Sequence, residues 1–263
     1  VAFYSMPLHI GKKGDSKLDL LKNSAEKMTA MLKNYSDRAE PVFSFQKLKK
    51  AVKSGKQAVV FSIENPDIFA DNPDMVNTYK QLGYWSIVLS HSKKDRIADS
   101  DQEDPGNKGL SDLGRKIVAR MNQQAVLIDI THASDQLQLD MIQASRAPVI
   151  ASHSCARALN KRTRGIADPV IKAIAKKGGV VCVTFSSFHV TPEYSQIYQK
   201  ARKKFKPIED EIKKKFPDNP EKEQQAINAA WGKYCPPPAP LEKLIDHIDH
   251  MVKLVGASHV GLG

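Results

Sequence analysis

Apolar residues along the chain gather into short unbroken runs rich in valine and isoleucine. These are Val1–Met6, Ala58–Glu64, Trp85–His91, Ala125–His132, Pro148–Ser154, Gly179–Ser186 and His259–Gly263. Continuous apolar character over about four to eight residues predicts strands covered on both faces, as in a parallel sheet. Between the runs the apolar period lengthens to that of a helix. Leu18, Leu21, Ala25, Met28 and Met31 recur at helical spacing and predict a helix over Asp15–Lys33. Ser111 is placed to cap a helix running to Met121, with Arg115, Lys116 and Arg120 facing outward. Asp168-Pro169 opens a helix that Gly178-Gly179 stops. Asp246 to Val255 reads as a last helix, closed by Gly256.

Alternation of strand and helix predicts an α/β fold. Two architectures compete, a doubly wound open sheet and a (β/α)8 TIM-type barrel. Glu64, His91, His132 and His153 each stand at the end of an apolar run. In a barrel the C-terminal strand ends converge on one mouth, whereas an open sheet spreads them along an edge. Four metal-capable side chains at equivalent ends therefore favour the barrel, formed by residues 1–263 as one domain. Because the chain opens and closes inside strand-like runs, the barrel is expected to be incomplete and the chain truncated at both ends. Residues from about 189 to 240 break the rhythm and predict a helical insertion after a late strand, too long for an ordinary loop.

Composition narrows the class little. Hydrophobic residues make up 41% and charged residues 26%, which fits a folded globular chain. No apolar run approaches the roughly 18 residues of a membrane-spanning helix, so no transmembrane segment is expected. Cys155, Cys182 and Cys235 are three, which excludes a closed disulfide framework, and no Cys-x-x-Cys pair is present. The net charge of +11 owes much to lysines between Lys200 and Lys222. Glu209, Asp210 and Glu211 interrupt them, as on a solvated helix face. No nucleic-acid motif accompanies the charge, so no nucleic-acid partner is expected.

The polar residues at the strand ends carry the candidate chemistry. His132 and His153 lie one strand-helix unit apart, and neutral imidazole is the commonest metal ligand. Glu64 closes a strongly apolar strand, where a carboxylate is costly unless paired or metal-bound, and its two oxygens can bridge two cations. His91 can serve as a ligand, a general acid or an electrophile on a carbonyl oxygen. Arg164, just beyond the His153 strand, suits a bidentate grip on a carboxylate. His189 is placed to line the site, while His247, His250 and His259 read as structural. Cys155 reads as a small buried residue.

These residues sit in segments that resemble the renal or membrane dipeptidase family of zinc metallopeptidases. The resemblance runs through Gln81-Leu82-Gly83-Tyr84-Trp85, Leu89-Ser90-His91, Gly109-Leu110-Ser111-Asp112-Leu113-Gly114 and Leu127-Ile128-Asp129-Ile130-Thr131-His132. It continues through Ala147-Pro148-Val149-Ile150-Ala151-Ser152-His153-Ser154, Asp246-His247-Ile248-Asp249-His250 and Gly256–Gly263. It implies an amidohydrolase-like barrel with two Zn2+ ions, hydrolysing dipeptides through a metal-bridging hydroxide. It implies Glu64 as the bridging carboxylate, and His132 and His153 as ligands of the second metal. It also implies His91 as the residue contacting substrate and tetrahedral intermediate, and Arg164 as the grip on the substrate carboxylate. A homodimer and an exported location, periplasmic, extracellular or membrane-associated, are further implications. The family's His-x-Asp pair and its Asp-Phe-Asp-Gly segment have no counterpart in residues 1–263. Two other functions compete: a binuclear amidohydrolase acting on a cyclic amide or ester, and an inactive barrel serving as a binding module. The former often bridges its metals with a carboxylated lysine, and no lysine ends a candidate strand here.

Overall fold

The structure, a computed structural model, describes residues 1–6, 16–64, 69, 72–91, 109–217 and 219–263. Its centre is a curled sheet whose pairings are all parallel. The strands are β1 (Ala2–Met6), β2 (Ala39–Pro41), β3 (Gln57–Glu64), β4 (Tyr84–Val88), β5 (Leu127–Asp129), β6 (Ile150–Ser154), β7 (Val180–Val183) and β8 (Val260–Leu262). Hydrogen bonding runs in the order β1-β3-β4-β5-β6-β7-β8, with β2 pairing the start of β3 on the side opposite β1, ahead of β4. The sheet is thus a half-barrel: β1 and β8 face each other across a cavity of about 750 Å3 without pairing. All the predicted strands form. β2 is an addition, paired with Gln57–Val59.

Helices wrap the outside: α1 (Lys17–Lys33), α2 (Phe45–Lys53), α3 (Met75–Gln81), α4 (Asp112–Gln123), α5 (Asp135–Ala144), α6 (Asp168–Lys176), α7 (Ser187–Val190), α8 (Tyr194–Lys215), α9 (Pro220–Trp231) and α10 (Leu241–Val255). Ser16 caps α1 and Ser111 caps α4, each hydroxyl accepting the amide three residues on, so two otherwise orphaned donors are satisfied. The predicted first residue of α1, Asp15, lies outside the described residues. Pro169 sits in the first turn of α6, where its missing N–H costs nothing. The last helix begins at Leu241, five residues before the predicted start, because Pro240 sets its N-terminus.

Alternate strand residues divide two cores. Phe61, Ile63, Tyr84, Ile87 and Ile128 face outward and pack against Leu21, Ile117, Met121, Leu137 and Ile174 of the helices. Ala58 and Val60 face inward, where Phe3, Trp85 and α2 residues Leu48 and Ala51 close the floor. Above that floor the interior is lined mainly by apolar side chains such as Val88, Ile150 and Val180, with Ser5, Ser62, Asp129, Ser152 and Cys182 set among them. The mouth lies at the opposite, C-terminal end of the strands. Helices α8 and α9 form the inserted hairpin. Its own aromatic cluster, Tyr198, Phe205, Trp231 and Tyr234, holds it together by edge-on contacts to Trp231 and a tilted Phe205–Tyr234 pair.

Candidate metal centre

Glu64 is the last residue of β3, in register with Val88 of β4. Ser5 of β1 donates to its Oε2 at 3.1 Å, which turns Oε1 toward the mouth. There Oε1 lies 2.6 Å from His132 Nε2, 3.3 Å from His153 Nε2 and 3.8 Å from His91 Nε2. The two ring nitrogens of His132 and His153 are 3.2 Å apart. Glu64, His91 and His132 each offer a ligand atom within 4.8 Å of the others. Arg164 completes the group. Its Nη2 donates to His153 O at 3.1 Å and stands 3.2 Å from His132 Nε2. The five sequence-derived candidates, Glu64, His91, His132, His153 and Arg164, therefore meet at one place.

Their routes to that place differ from the simple strand-end picture. His153 lies inside β6, one residue short of its end. His91 and His132 lie three residues beyond β4 and β5 respectively, on the segments that leave the sheet. His132 adopts φ 67°, a left-handed conformation that a residue with a Cβ seldom takes. Such backbone strain costs on the order of 1–3 kcal/mol and collects at functional sites. Ser90 helps hold it by donating to the His132 carbonyl at 3.1 Å.

The charge states suit ligands. Burial pushes the Glu64 carboxyl up, but the imidazoles of His132 and His153 outweigh it and hold it well below the usual carboxylate range. Burial pushes His132 down to about 4, so its ring is neutral at pH 7. An ionised carboxylate and neutral imidazoles are the forms that bind metals. His132 Nδ1 is buried with no partner among the described residues, so the ring makes its polar contacts only through Nε2.

The Arg164 loop is built by a residue that sequence reasoning passed over. Arg157 makes a double hydrogen bond to Asp135 at 2.5 and 2.7 Å. The same guanidinium donates to the carbonyls of Gly165 at 2.9 Å and Thr163 at 3.0 Å. With the Ala156–Ile166 bridge, this closes the loop between β6 and α6 and sets Arg164 at the mouth. The basic run around Arg162 hid Arg157, since nothing in the spacing paired it with Asp135. Also unforeseen were Asp129, Thr131 and Ser152 behind the histidines. Three polar residues interrupting inward-facing apolar strands were the available signal.

The remaining predicted histidines separate. His189 of α7 lies near the site: burial first, then the charges of Arg164 and Arg162, push its ring down to about 4. His247 is buried between the Ala156 amide and the Val190 carbonyl, both at 3.0 Å. His250 bonds Asp168 at 2.9 Å and His259 bonds Gly179 O at 2.8 Å. Cys155 is buried, and burial pushes its thiol up to about 12, which makes it inert. Among the described residues, no helix is long and apolar enough to cross a membrane.

Known proteins resemble this chain over most of its length. The family model described as membrane dipeptidase, peptidase family M19, matches residues 1–263. Dipeptidase tcpJ of Claviceps purpurea (strain 20.1) is 26% identical over 230 residues, covering 87% of this chain and 44% of that protein. Dipeptidase verJ of Clonostachys rogersoniana is 26% identical over 234 residues, covering 89% and 49%. The chain thus spans about half the length of these curated relatives. The probable dipeptidase PvdM from Pseudomonas aeruginosa has a similar fold, with TM-score 0.73 and 24% identity over 97% of this chain and 70% of that one. So has a metallopeptidase from Rhodobacter sphaeroides, solved with a phosphinate mimic of the dipeptide L-Ala-D-Ala. Its TM-score is 0.71 and its identity 17%, over 98% of this chain and 62% of that one.

Proposed function

Because the chain belongs to the membrane dipeptidase family, peptidase family M19, we propose that the protein is a zinc-dependent dipeptidase. One observation supports this above the others. A carboxylate, three imidazoles and a guanidinium, drawn from segments between residues 64 and 164, converge at one end of the half-barrel.

Glu64, His132 and His153 would hold the metal. The donor set fits zinc, which takes carboxylate oxygen and imidazole nitrogen. The ionised state of Glu64 and the neutral state of His132 fit it too. Two ions per protein would be held, with Glu64 serving both and His132 and His153 one of them. Zinc, when bound, supplies Lewis acidity and brings the ionisation of water down toward neutral pH.

The protein's own side chains do the rest. Arg164 receives the C-terminal carboxylate of the substrate. A hydrogen bond to a charged group contributes about 1.5–3 kcal/mol. That anchor sets the distance from carboxylate to scissile bond at one residue, so longer peptides present the wrong bond. His91, with 42% of its side chain exposed, stands at the rim within reach of a substrate carbonyl. By donating to the carbonyl oxygen it stabilises the negative charge that builds there, and so favours the transition state over the ground state. A homodimer is part of the same proposal, on the family likeness.

The test is hydrolysis of a dipeptide and of its C-terminal amide by the full-length protein. The expected result is a strong preference for the free acid, abolished by Arg164→Ala. Equal cleavage of both would overturn the carboxylate grip and favour a hydrolase of cyclic amides or esters. No cleavage of either by the zinc-loaded protein would favour a binding module.

A further inference from the structure

The turn that carries Arg164 is anchored from two sides. Gly165 N donates to Arg162 O at 2.9 Å, so residues 162–165 form a four-residue turn with Arg164 third. On one side Arg157 holds the carbonyls of Thr163 and Gly165. On the other, the first residue of the turn reaches out of the loop. Arg162 Nη1 donates to the Ser195 hydroxyl in the first turn of α8, and to Phe188 O of α7 at 3.4 Å. Asn160 is only 3% exposed, and its Nδ2 donates to His189 O at 3.0 Å and Phe188 O at 3.4 Å. The Asn160 backbone carbonyl accepts from Arg162 N at 2.7 Å. Phe188 also meets the aromatic cluster of the hairpin. Its ring centre lies 4.9 Å from those of both Tyr194 and Tyr198, and Tyr198 meets Trp231 of α9 at 5.4 Å. An unbroken series of contacts thus runs from the hairpin to the Arg164 turn.

We propose that Asn160 and Arg162 are positioning residues that tie the Arg164 turn to the root of the α8–α9 hairpin, so that the insertion sets dipeptide affinity without touching the substrate. The tie stands on the contacts themselves; its effect on affinity rests on the proposed grip of Arg164 on the substrate carboxylate. A guanidinium that meets a carboxylate through two parallel hydrogen bonds tolerates little rotation of the backbone beneath it. Release of the turn's first corner therefore weakens the grip. The surroundings of the scissile bond are untouched, so the loss falls on KM rather than on kcat.

The test combines steady-state kinetics on a dipeptide and its C-terminal amide with hydrogen exchange, both on the full-length protein. Ser195→Ala removes the far end of the tie and Arg162→Gln the near end. Each should raise KM for the free acid about three- to tenfold, with kcat within about twofold and the amide, which lacks the gripped carboxylate, nearly unchanged. Because both changes break the same contact, the double variant should be no worse than Arg162→Gln alone. Ser195→Thr, which keeps the hydroxyl, should behave as wild type. Independently of any substrate, amide exchange across residues 157–166 should quicken in Ser195→Ala and Arg162→Gln at an unchanged melting temperature. Wild-type KM in both variants, equal losses on acid and amide, additive losses in the double variant or unchanged exchange would overturn the proposal. If exchange quickens but Arg164→Ala costs nothing on the free acid, the carboxylate grip has failed instead, and the hairpin's effect on affinity falls with it.

Discussion

Replacing His247 removes a buried tie whose cost can be built from its contacts. The ring is 1% exposed. Its Nδ1 accepts from the Ala156 amide and its Nε2 donates to the Val190 carbonyl, joining α10 to the start of the Arg164 loop and to α7. His247→Ala loses two hydrogen bonds of about 1 kcal/mol each and strands a buried donor and acceptor. It also opens a cavity, for a total of about 3–5 kcal/mol. At roughly 2–4 °C per kcal/mol for a domain near this size, the melting temperature should fall by about 10 °C. His247→Gln, which keeps one donor and one acceptor, should lose less. Burial lowers the His247 pKa; the Val190 carbonyl and Asp246 resist that fall, and His250 adds to it. A lowered imidazole pKa means the unfolded chain binds the proton first. The stability His247 contributes is therefore present above about pH 6.5 and is lost as pH falls toward its folded value. The gap in stability between wild type and His247→Gln should shrink over that window. Thermal melts from pH 7.5 to 5 measure both effects. A melting temperature for His247→Ala within 2 °C or so of wild type would refute the reasoning, as would a gap that widens on acidification.

Other consequences follow from the site. Arg157→Gln should free the loop that carries Arg164 and raise KM for dipeptides by about tenfold in steady-state kinetics, with bound metal unchanged. Glu64→Gln should release most bound zinc, read by metal analysis, because an amide cannot balance the charge of the cation. His91→Ala should lower kcat more than it raises KM, since the charge it meets exists only beyond the ground state. Alkylation followed by mass spectrometry should label exposed Cys235 well ahead of Cys155 and Cys182, whose thiols burial pushes up to about 12 and about 11.

Much of this architecture was legible in the chain because a parallel strand covered on both faces leaves an unbroken apolar run. The same property misled at run ends. Leu89-Ser90-His91 and Ile130-Thr131-His132 continue the apolar pattern beyond the paired strands, so the pattern places both histidines at strand ends, whereas His132 sits on a turn and His91 in an irregular segment. Strand β2 escaped notice since Ala39-Glu40-Pro41 has no apolar run; an edge strand tolerates the proline because one side needs no ladder bond. The charged and imidazole side chains of the site stood out by their cost in apolar surroundings. The hydroxyls of Ser5, Thr131 and Ser152 did not, because a buried serine or threonine reads as strand filler until its partner is known. Ser5 meets Glu64 across 59 positions of sequence, a pairing that only the register of β1 on β3 reveals.

The most direct measurement is zinc content and dipeptide turnover of the full-length protein in one titration, beginning from chelator-stripped protein. Turnover should be absent at the start, rise as zinc is added and level off near two ions per chain, with Glu64→Gln and His132→Ala failing to recover it. Full turnover in stripped protein, or wild-type recovery by either variant, would contradict the assignment of this cluster as the catalytic metal centre.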